Sequence, residues 1–188
     1  MDRSMGTPIF IIGPSGAGKS TLMQHAAAHH EGCVIAPRLC TRSPNYDEHD
    51  EFITEENFHT MKAQGCLLLD WYAHDLKYGF TRSSIEHLLQ KYELVLFNGA
   101  RRAVSDFFHI FPRGYALVIN ATIEARRARL AERARESTIQ QEKRLEAFSW
   151  AWPEDKQNNC FVIDNSHDLN TAYEEVTSAF SSIKESAL

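Results

Sequence analysis

The stretch "IFIIGPSGAGKST", residues 9–21, decides the fold. Its first four residues are apolar and a glycine ends them, which predicts a short buried strand at Ile9–Ile12. Residues 13–20 then match the full G-x-x-x-x-G-K-[ST] pattern. The residues from Lys19 onward predict a helix that runs to His30. A strand, a glycine-rich loop and a helix in this order are the context in which the pattern binds phosphates.

The residue types in this loop are those that a triphosphate-binding site requires. Glycines allow backbone angles that direct successive N–H groups into one concavity, and the helix that follows adds the positive end of its dipole. The Lys19 ammonium can reach the β- and γ-phosphates, and the Ser20 hydroxyl can ligate Mg²⁺. The predicted nucleotide-binding residues are Gly13, Pro14, Ser15, Gly16, Ala17, Gly18, Lys19, Ser20 and Thr21, with Lys19 also catalytic and Ser20 the metal ligand.

The composition is that of an ordinary globular protein. The chain has 188 residues, of which 43% are hydrophobic and 24% charged, with a formal net charge of −5. This charge argues against a nucleic-acid partner, and no apolar stretch approaches the ~20 residues needed to span a bilayer. The four cysteines form no C-x-x-C pair, which argues against a zinc site and suits a reducing compartment. We therefore expect one cytoplasmic domain with no nucleic-acid or membrane partner.

Five apolar runs of strand length alternate with helical stretches along the chain. The predicted strands are Ile9–Ile12, Cys33–Ala36, Leu94–Phe97, Ala116–Ile119 and Phe161–Ile163, and the predicted helices cover about 19–30, 83–91, 122–135, 137–150 and 169–184. Fully apolar strands separated by helices predict an α/β fold with a five-stranded parallel sheet covered on both faces. Residues 37–80 break this rhythm and hold a helix near 55–64. We interpret them as an insert over one edge of a core formed by residues 1–36 and 81–188.

The loop alone identifies a nucleoside triphosphate but not a reaction. The chain has neither the N-K-x-D segment nor the D-x-x-G switch that a GTPase requires, and it is too short for a motor or transporter ATPase. A short chain with an insert after the first helix favours a small phosphotransferase.

Four segments beyond the loop carry further patterns. They are, in order, A-x-R-x-x-T-R with Ala36, Arg38, Thr41 and Arg42; W-x-A-x-x-L-x-Y-G with Trp71, Ala73, Leu76, Tyr78 and Gly79; N-G-x-R with Asn98, Gly99 and Arg101; and R-L-x-x-R-x-R-E followed by R-L, at residues 129–136 and 144–145. In these segments the chain resembles the guanylate kinases and, more closely, their relatives the ribose 1,5-bisphosphate phosphokinases of phosphonate breakdown, which have all four patterns. With the loop, these segments span residues 9–145.

The resemblance implies a fold, a reaction and partners. The fold is the three-layer P-loop nucleoside monophosphate kinase fold, with an acceptor-binding insert at about 37–80 and a lid at about 133–144. The reaction transfers the γ-phosphoryl group of ATP, with Mg²⁺, to ribose 1,5-bisphosphate, giving 5-phosphoribosyl 1-diphosphate. The partner is a small phosphorylated acceptor, and a homodimer is an open alternative. Three other functions also stay open: a guanylate kinase, an inactive guanylate-kinase-like binding module, and a metabolite kinase that uses Asp70 or Asp75 as a base.

The departures from guanylate kinases favour a sugar phosphate over GMP as acceptor. Asn45 stands where that family has a second phosphate-binding arginine, and Phe80 where it has a guanine-reading threonine. The guanine-reading glutamate has only a loose counterpart, Asp70, and the aspartate of the third strand is replaced by Leu96. Losing buried polar groups that read a base costs discrimination steeply. Without that aspartate, Mg²⁺ would rest on Ser20, the nucleotide and water.

Arginines follow the predicted strand ends, where ligands of open α/β sheets bind. We expect Arg38 and Arg42 to bind the phosphates of the acceptor, because a guanidinium group fits a phosphate through two hydrogen bonds. Tyr78 either donates its hydroxyl to the same phosphate or packs under the insert. The other predicted acceptor-binding residues are Asp70, Asn98, Gly99 and Arg101.

A second set of arginines crowds the predicted helix at 122–135 and its end. By resemblance to the lid of these kinases, Arg133, Arg135 and Arg144 are the predicted catalytic residues that stabilise charge on the transferring phosphoryl group. A charge run is otherwise a solvated face, with nearby glutamates as partners. We expect Arg126 and Arg127 to face solvent.

Overall fold

The computed structural model describes residues 5–41, 50–73, 75–132 and 154–186. The strands are β1 (Thr7–Ile12), β2 (Cys33–Ile35), β3 (Arg38–Cys40), β4 (Asp50–Phe52), β5 (Leu67–Ala73), β6 (Leu76–Thr81), β7 (Leu94–Asn98), β8 (Tyr115–Asn120) and β9 (Cys160–Asp164). The helices are α1 (Lys19–His29), α2 (Glu55–Ala63), α3 (Arg82–Lys91), α4 (Val104–Ile110), α5 (Ile123–Glu132) and α6 (Leu169–Ser186), with 3₁₀ turns at Arg101–Ala103 and Glu154–Asn159.

The larger sheet contains the five strands that the apolar runs predict. Its order is β2-β7-β1-β8-β9, and the neighbouring strands pair in parallel. The first strand of the sequence therefore lies at the centre, beside β7 and β8. Central strands are buried on both faces, and β1 and β7 are correspondingly apolar throughout their inner length. The prediction of an α/β fold with a five-stranded parallel sheet is confirmed.

Two apolar clusters cover the two faces of this sheet. One face packs against α1 and α6, through residues such as Leu22, Met23 and Val176. The other face carries the aromatic cluster, which we define as Phe10, Phe80, Phe97, Phe107 and Trp71 with their apolar neighbours. Rings within it stack or meet edge-on; those of Phe10 and Phe107, for example, lie 4.6 Å apart. The sheet thus forms the middle of three layers.

A second sheet, of order β4-β3-β6-β5, occupies most of the predicted insert. Of this region, only the helix is predicted from the sequence, and it is observed as α2; the strands are not predicted. One face of this small sheet joins the aromatic cluster through Leu69, Trp71 and Phe80. The opposite face packs under α2, where Leu39, Ile53 and Phe58 form a cluster of their own. The insert is therefore continuous with the core on one side.

Helix starts follow side-chain capping, with one correction. In the sequence, Thr122 stands where it can cap α5, and its hydroxyl accepts a hydrogen bond from the Ala125 N–H. Residues 83–86, Ser-Ser-Ile-Glu, have the pattern of a capping box that would open α3, but the cap is Thr81, whose hydroxyl accepts from the Ser84 N–H. The cap lies two residues earlier because Thr81 ends β6 in extended backbone and its side chain can reach the first turn.

Several predicted features lie outside the described residues. They are Arg42, Asn45, the catalytic candidates Arg133, Arg135 and Arg144, the lid at about 133–144 and the helix at 137–150. Among the helices that the structure describes, none is both long enough and apolar enough to cross a membrane.

Gly99 generates a prediction about stability. A Cβ at this position would lie 2.1 Å from the ring of Phe10, which is fully buried. We expect Gly99→Ala to lower the free energy of unfolding by about 2–3 kcal/mol, because an overpacked core forces side chains and backbone to move. Urea denaturation would measure this change.

The double variant Gly99→Ala/Phe10→Leu provides the control. The smaller side chain removes the ring atoms in conflict, so the two substitutions together should cost less than the sum of their separate effects. Strict additivity of the two, or full stability of Gly99→Ala, would contradict this account of Gly99.

Candidate active site

The predicted phosphate-binding loop, residues 13–18, connects β1 to α1 and adopts left-handed backbone at two glycines. Gly16 has φ +79° and Gly18 has φ +90°, a region that only glycine enters at little cost. A Cβ on Gly16 would also lie 2.9 Å from the carbonyl oxygen of Arg126 in α5, so the loop and α5 are in backbone contact. The first N–H groups of α1 have no carbonyl partner within the helix, because an α-helix leaves its first turn of N–H groups unpaired, and they point back toward the loop. This geometry can form an anion-binding concavity.

Lys19 lies over the loop that precedes it. Its Nζ donates to the carbonyl oxygen of Gly13 at 2.9 Å and to that of Pro14 at 3.3 Å. The ammonium group is thus held beside the loop, within reach of an anion in the concavity. The role of Lys19 in phosphate binding and catalysis stays a prediction.

Arg126 corrects the expectation that it faces solvent. Only 2% of this residue is exposed, and its Nε donates to the carbonyl oxygen of Ser15 at 2.9 Å. Burial lowers the pKa of its guanidinium group, although an arginine still remains charged. Arg127, its neighbour in sequence, is exposed as expected. A charge run on a helix suggested a solvated face, but one turn of this helix packs on the loop.

Two further polar side chains that sequence reasoning missed approach Gly18. The Asn165 Nδ2 donates to the carbonyl oxygen of Ala17 at 2.8 Å and lies 2.3 Å from where a Cβ on Gly18 would stand. The Arg129 Nη1 lies 3.8 Å from the same point. Arg129 Nη1 and Asn165 Oδ1 are buried, and within the described part of the chain they have no hydrogen-bond partner. Buried polar atoms without partners are costly, so these atoms fit a site that receives a polar ligand.

Signals for these residues exist in the sequence. Arg126, Arg129 and Leu130 are spaced three and four residues apart, so they share one face of α5, and Leu130 is apolar. Asn165 directly follows the last strand, at the same edge of the sheet as the phosphate-binding loop. The strand-end rule that selected Arg38 and Asn98 therefore applies to Asn165 as well.

The predicted acceptor residues Arg38, Tyr78 and Asn98 meet at one point. Arg38 Nε and Nη2 donate to the two carboxylate oxygens of Asp50, at 2.7 and 2.8 Å, and its Nη1 donates to the carbonyl oxygen of Asn98 at 3.0 Å. The guanidinium carbon lies 4.8 Å from the centre of the Tyr78 ring, which stacks on Trp71 at 5.5 Å. Arg38 is mostly buried, and these contacts use three of its five N–H groups. The structure describes no acceptor contact, so the role of Arg38 stays a prediction.

The structure separates Asp70 from this group. Residues alternate across a strand, and Trp71 faces the aromatic cluster with Tyr78. Asp70 lies on the opposite face, where its carboxylate accepts a hydrogen bond from Lys62 of α2 at 2.5 Å. Asp70 and Tyr78 therefore do not line the same surface.

The remaining acceptor candidates follow β7. Gly99 leaves room for the Phe10 ring, a packing role that the sequence analysis does not foresee. Arg101 is exposed in the 3₁₀ turn after it. Since Asn98 pairs with Ile11 and the Gly99 N–H donates to the Ile11 carbonyl, the end of β7 adjoins the start of the phosphate-binding loop. Neighbouring strands lie only ~4.8 Å apart, so the two groups of candidate residues share one edge of the sheet.

The donor set for a metal ion at this edge is small. Ser20 stands in the first turn of α1, and Leu96, in the place where guanylate kinases carry an aspartate, is buried in the core. Within the described ranges, no group of three or more His, Cys, Asp or Glu side chains could hold a metal ion. The described residues fit a Mg²⁺ ion that takes most of its oxygen ligands from nucleotide and water.

The chain is similar to known proteins over most of its length. The chain is 34% identical over 168 residues to a ribose 1,5-bisphosphate phosphokinase from Agrobacterium fabrum, covering 87% of this chain and 90% of the relative. It is also 34% identical over 145 residues to a bifunctional ribose 1,5-bisphosphokinase-thymidine phosphorylase from Cupriavidus necator, of which the match covers only 24%. No sequence model of a known family matches the chain.

A crystal structure of guanylate kinase from Anaplasma phagocytophilum superimposes with a TM-score of 0.64 over 96% of this chain and 87% of that one, at 17% identity. At this identity the likeness concerns the fold alone, and it confirms the predicted guanylate-kinase-like architecture. The family is set by the sequence match of 34% over nine tenths of a relative. This chain therefore belongs to the ribose 1,5-bisphosphate phosphokinase family, on a guanylate-kinase-like fold.

Proposed function

We propose that this protein is an ATP-dependent phosphotransferase that converts ribose 1,5-bisphosphate to 5-phosphoribosyl 1-diphosphate. The relatives named above support this acceptor over GMP. One structural observation carries the choice: Asp70, the loose counterpart of a guanine-reading glutamate, lies on the face of the small sheet away from the aromatic cluster and pairs with Lys62. The opposite face of this sheet, on the side of the aromatic cluster, carries Trp71 and Tyr78, with Arg38 over the Tyr78 ring.

The reaction needs positioning and charge neutralisation more than it needs acid–base chemistry. An oxygen of the acceptor's 1-phosphate forms the bond to the γ-phosphorus, the bond from that phosphorus to the β,γ-bridging oxygen breaks, and ADP leaves. A phosphate oxygen is already ionised, so no general base is required. The protein must instead reduce the repulsion between two polyanions at one edge of the sheet.

The described residues divide this task. The loop amides and Lys19 would hold the β- and γ-phosphates, and Arg129 would add a donor beside Gly18. Ser20 would ligate a Mg²⁺ ion that neutralises charge on the phosphate oxygens. Arg38 would contact the acceptor with the N–H groups that its contacts to Asp50 and Asn98 leave over. Arg42 at the acceptor, and Arg133, Arg135 and Arg144 over the transferring group, are the further roles we assign from the sequence.

An acceptor panel with Mg·ATP tests the proposed function. We expect turnover with ribose 1,5-bisphosphate and little with GMP, ribose 5-phosphate or a plain hydroxyl acceptor, measured as ADP release and as product by ³¹P NMR. A preference for GMP would make the protein a guanylate kinase. Binding of ATP without turnover of any acceptor would make it a binding module.

Lys19→Ala tests the role of the loop lysine. We expect kcat to fall about 100-fold or more, the usual loss when one charge-stabilising donor is removed. The thermal unfolding midpoint should stay near that of the wild type, since the Lys19 ammonium bonds to loop carbonyls and is not part of the apolar core. Lys91→Ala, at the exposed end of α3, is the matched control. Equal activity of the two variants would exclude Lys19 from catalysis.

Arg38→Lys tests the acceptor side. Lysine keeps the charge but cannot form the planar two-point contact, so we expect the KM for the acceptor to rise about tenfold while the KM for ATP changes little. Arg82→Lys, on the exposed start of α3, is the control. If only the KM for ATP rose, Arg38 would serve ATP binding, and its assignment to the acceptor would be wrong.

A further inference from the structure

Two buried side chains donate hydrogen bonds to alternate carbonyl groups of the phosphate-binding loop. The Arg126 Nε donates to the Ser15 carbonyl at 2.9 Å, and the Asn165 Nδ2 donates to the Ala17 carbonyl at 2.8 Å. Arg126 is 2% exposed and Asn165 1% exposed. They come from different elements, α5 and the segment after β9, and they reach the loop from two directions.

The planarity of the peptide bond gives these contacts a consequence on the other side of the loop. In a trans peptide the C=O and the following N–H point in opposite directions. The Ser15 carbonyl shares its peptide with the Gly16 N–H, and the Ala17 carbonyl shares its peptide with the Gly18 N–H. A donor that holds either carbonyl outward therefore holds the matching N–H inward.

The two peptides concerned are also those that most need such restraint. Gly16 and Gly18 have the widest backbone freedom of any residue type, and both occupy left-handed φ values. A peptide beside a glycine can rotate at little steric cost, which would turn the N–H away from an anion. A buried carbonyl without a donor is itself costly, so the two side chains set which way each peptide points.

We propose that Arg126 and Asn165 are positioning residues for the phosphate-binding loop, Arg126 fixing the direction of the Gly16 N–H and Asn165 that of the Gly18 N–H. We call the pair the carbonyl clamp. This inference rests on the proposed binding of a nucleoside triphosphate in the loop, but it does not depend on which acceptor is used. Neither residue needs to touch the nucleotide for the clamp to act.

Nitrogen-15 labelling of glycine gives a readout for each peptide separately. At saturating Mg·ATP, the Gly16 and Gly18 amide protons of the wild type should both shift downfield, because each donates to a phosphate oxygen. Arg126→Met should abolish the shift of Gly16 and spare that of Gly18. Asn165→Leu, which keeps the branched shape without a donor or a charge, should do the reverse.

Affinity provides the second readout. Each variant should weaken Mg·ATP binding about tenfold in calorimetry and raise the KM for ATP, with little change in the KM for the acceptor. The loss corresponds to one charge-assisted hydrogen bond that is no longer aligned. The acceptor panel, run on the wild-type protein, separates the clamp from the proposed function. If the protein binds ATP but does not phosphorylate ribose 1,5-bisphosphate, the proposed function fails while the clamp can still be tested.

Matched controls exist for both positions. Arg127→Met makes the same change one residue along α5, on its exposed side. Asn159→Leu also removes an amide that donates to a backbone carbonyl, that of Gly114 at 3.1 Å, but before the start of β9 rather than after its end. Both controls should bind Mg·ATP as the wild type does.

The pattern of the glycine shifts decides the outcome. A crossed pattern, with each variant affecting its own glycine, supports the clamp. Equal loss at both glycines in either variant, or wild-type shifts and affinity in both, would overturn it, because a general loss of charge or stability cannot single out one peptide. If either variant fails to fold, Arg126→Lys, which places a methylene where Nε stands, and Asn165→Ala carry the same comparison.

Discussion

This structure depends on one property of the peptide group: its N–H and its C=O point in opposite directions. A loop that turns several N–H groups toward one anion must turn the matching carbonyl groups away from it, and those carbonyls need donors when they are buried. Here side-chain donors to the loop carbonyls include Lys19 in α1, Arg126 in α5 and Asn165 after β9. The position of the loop therefore determines how these three elements must meet.

The cluster around Arg38, the predicted acceptor-binding region, follows a similar rule: a buried charge, instead of a buried carbonyl group, needs a partner. Arg38 is mostly buried, and its ion pair with Asp50 offsets part of the cost of burying a guanidinium group. Its third contact, to the Asn98 carbonyl, joins the small sheet to the end of β7. The Tyr78 ring beneath it supplies a further attraction. The polar contacts that shape this surface thus also connect the insert to the core.

Features that depend on a local sequence pattern are predicted correctly. Features that depend on packing between distant segments of the chain are not. The five strands of the larger sheet are visible because each is buried on both faces and reads as a continuous apolar run. The strands β3 and β4 are three residues long and partly polar, so no periodicity marks them. The prediction that Arg126 faces solvent is wrong. A charged residue on a helix is normally solvated, but here contact with the loop overrides that preference. The phosphate-binding loop is found because its pattern is local; its supports are not.

The aromatic cluster joins the two sheets without a gap. Phe80 and Trp71 of the small sheet pack in the same cluster as Phe10 and Phe97 of the large one, and the rings of Phe80 and Phe97 lie 5.0 Å apart. Because one apolar cluster contains residues of both sheets, the two sheets should unfold in one cooperative transition. Evolution could lengthen the α2 side of the insert or change its exposed residues, but it could not remove the insert without exposing the main core to water.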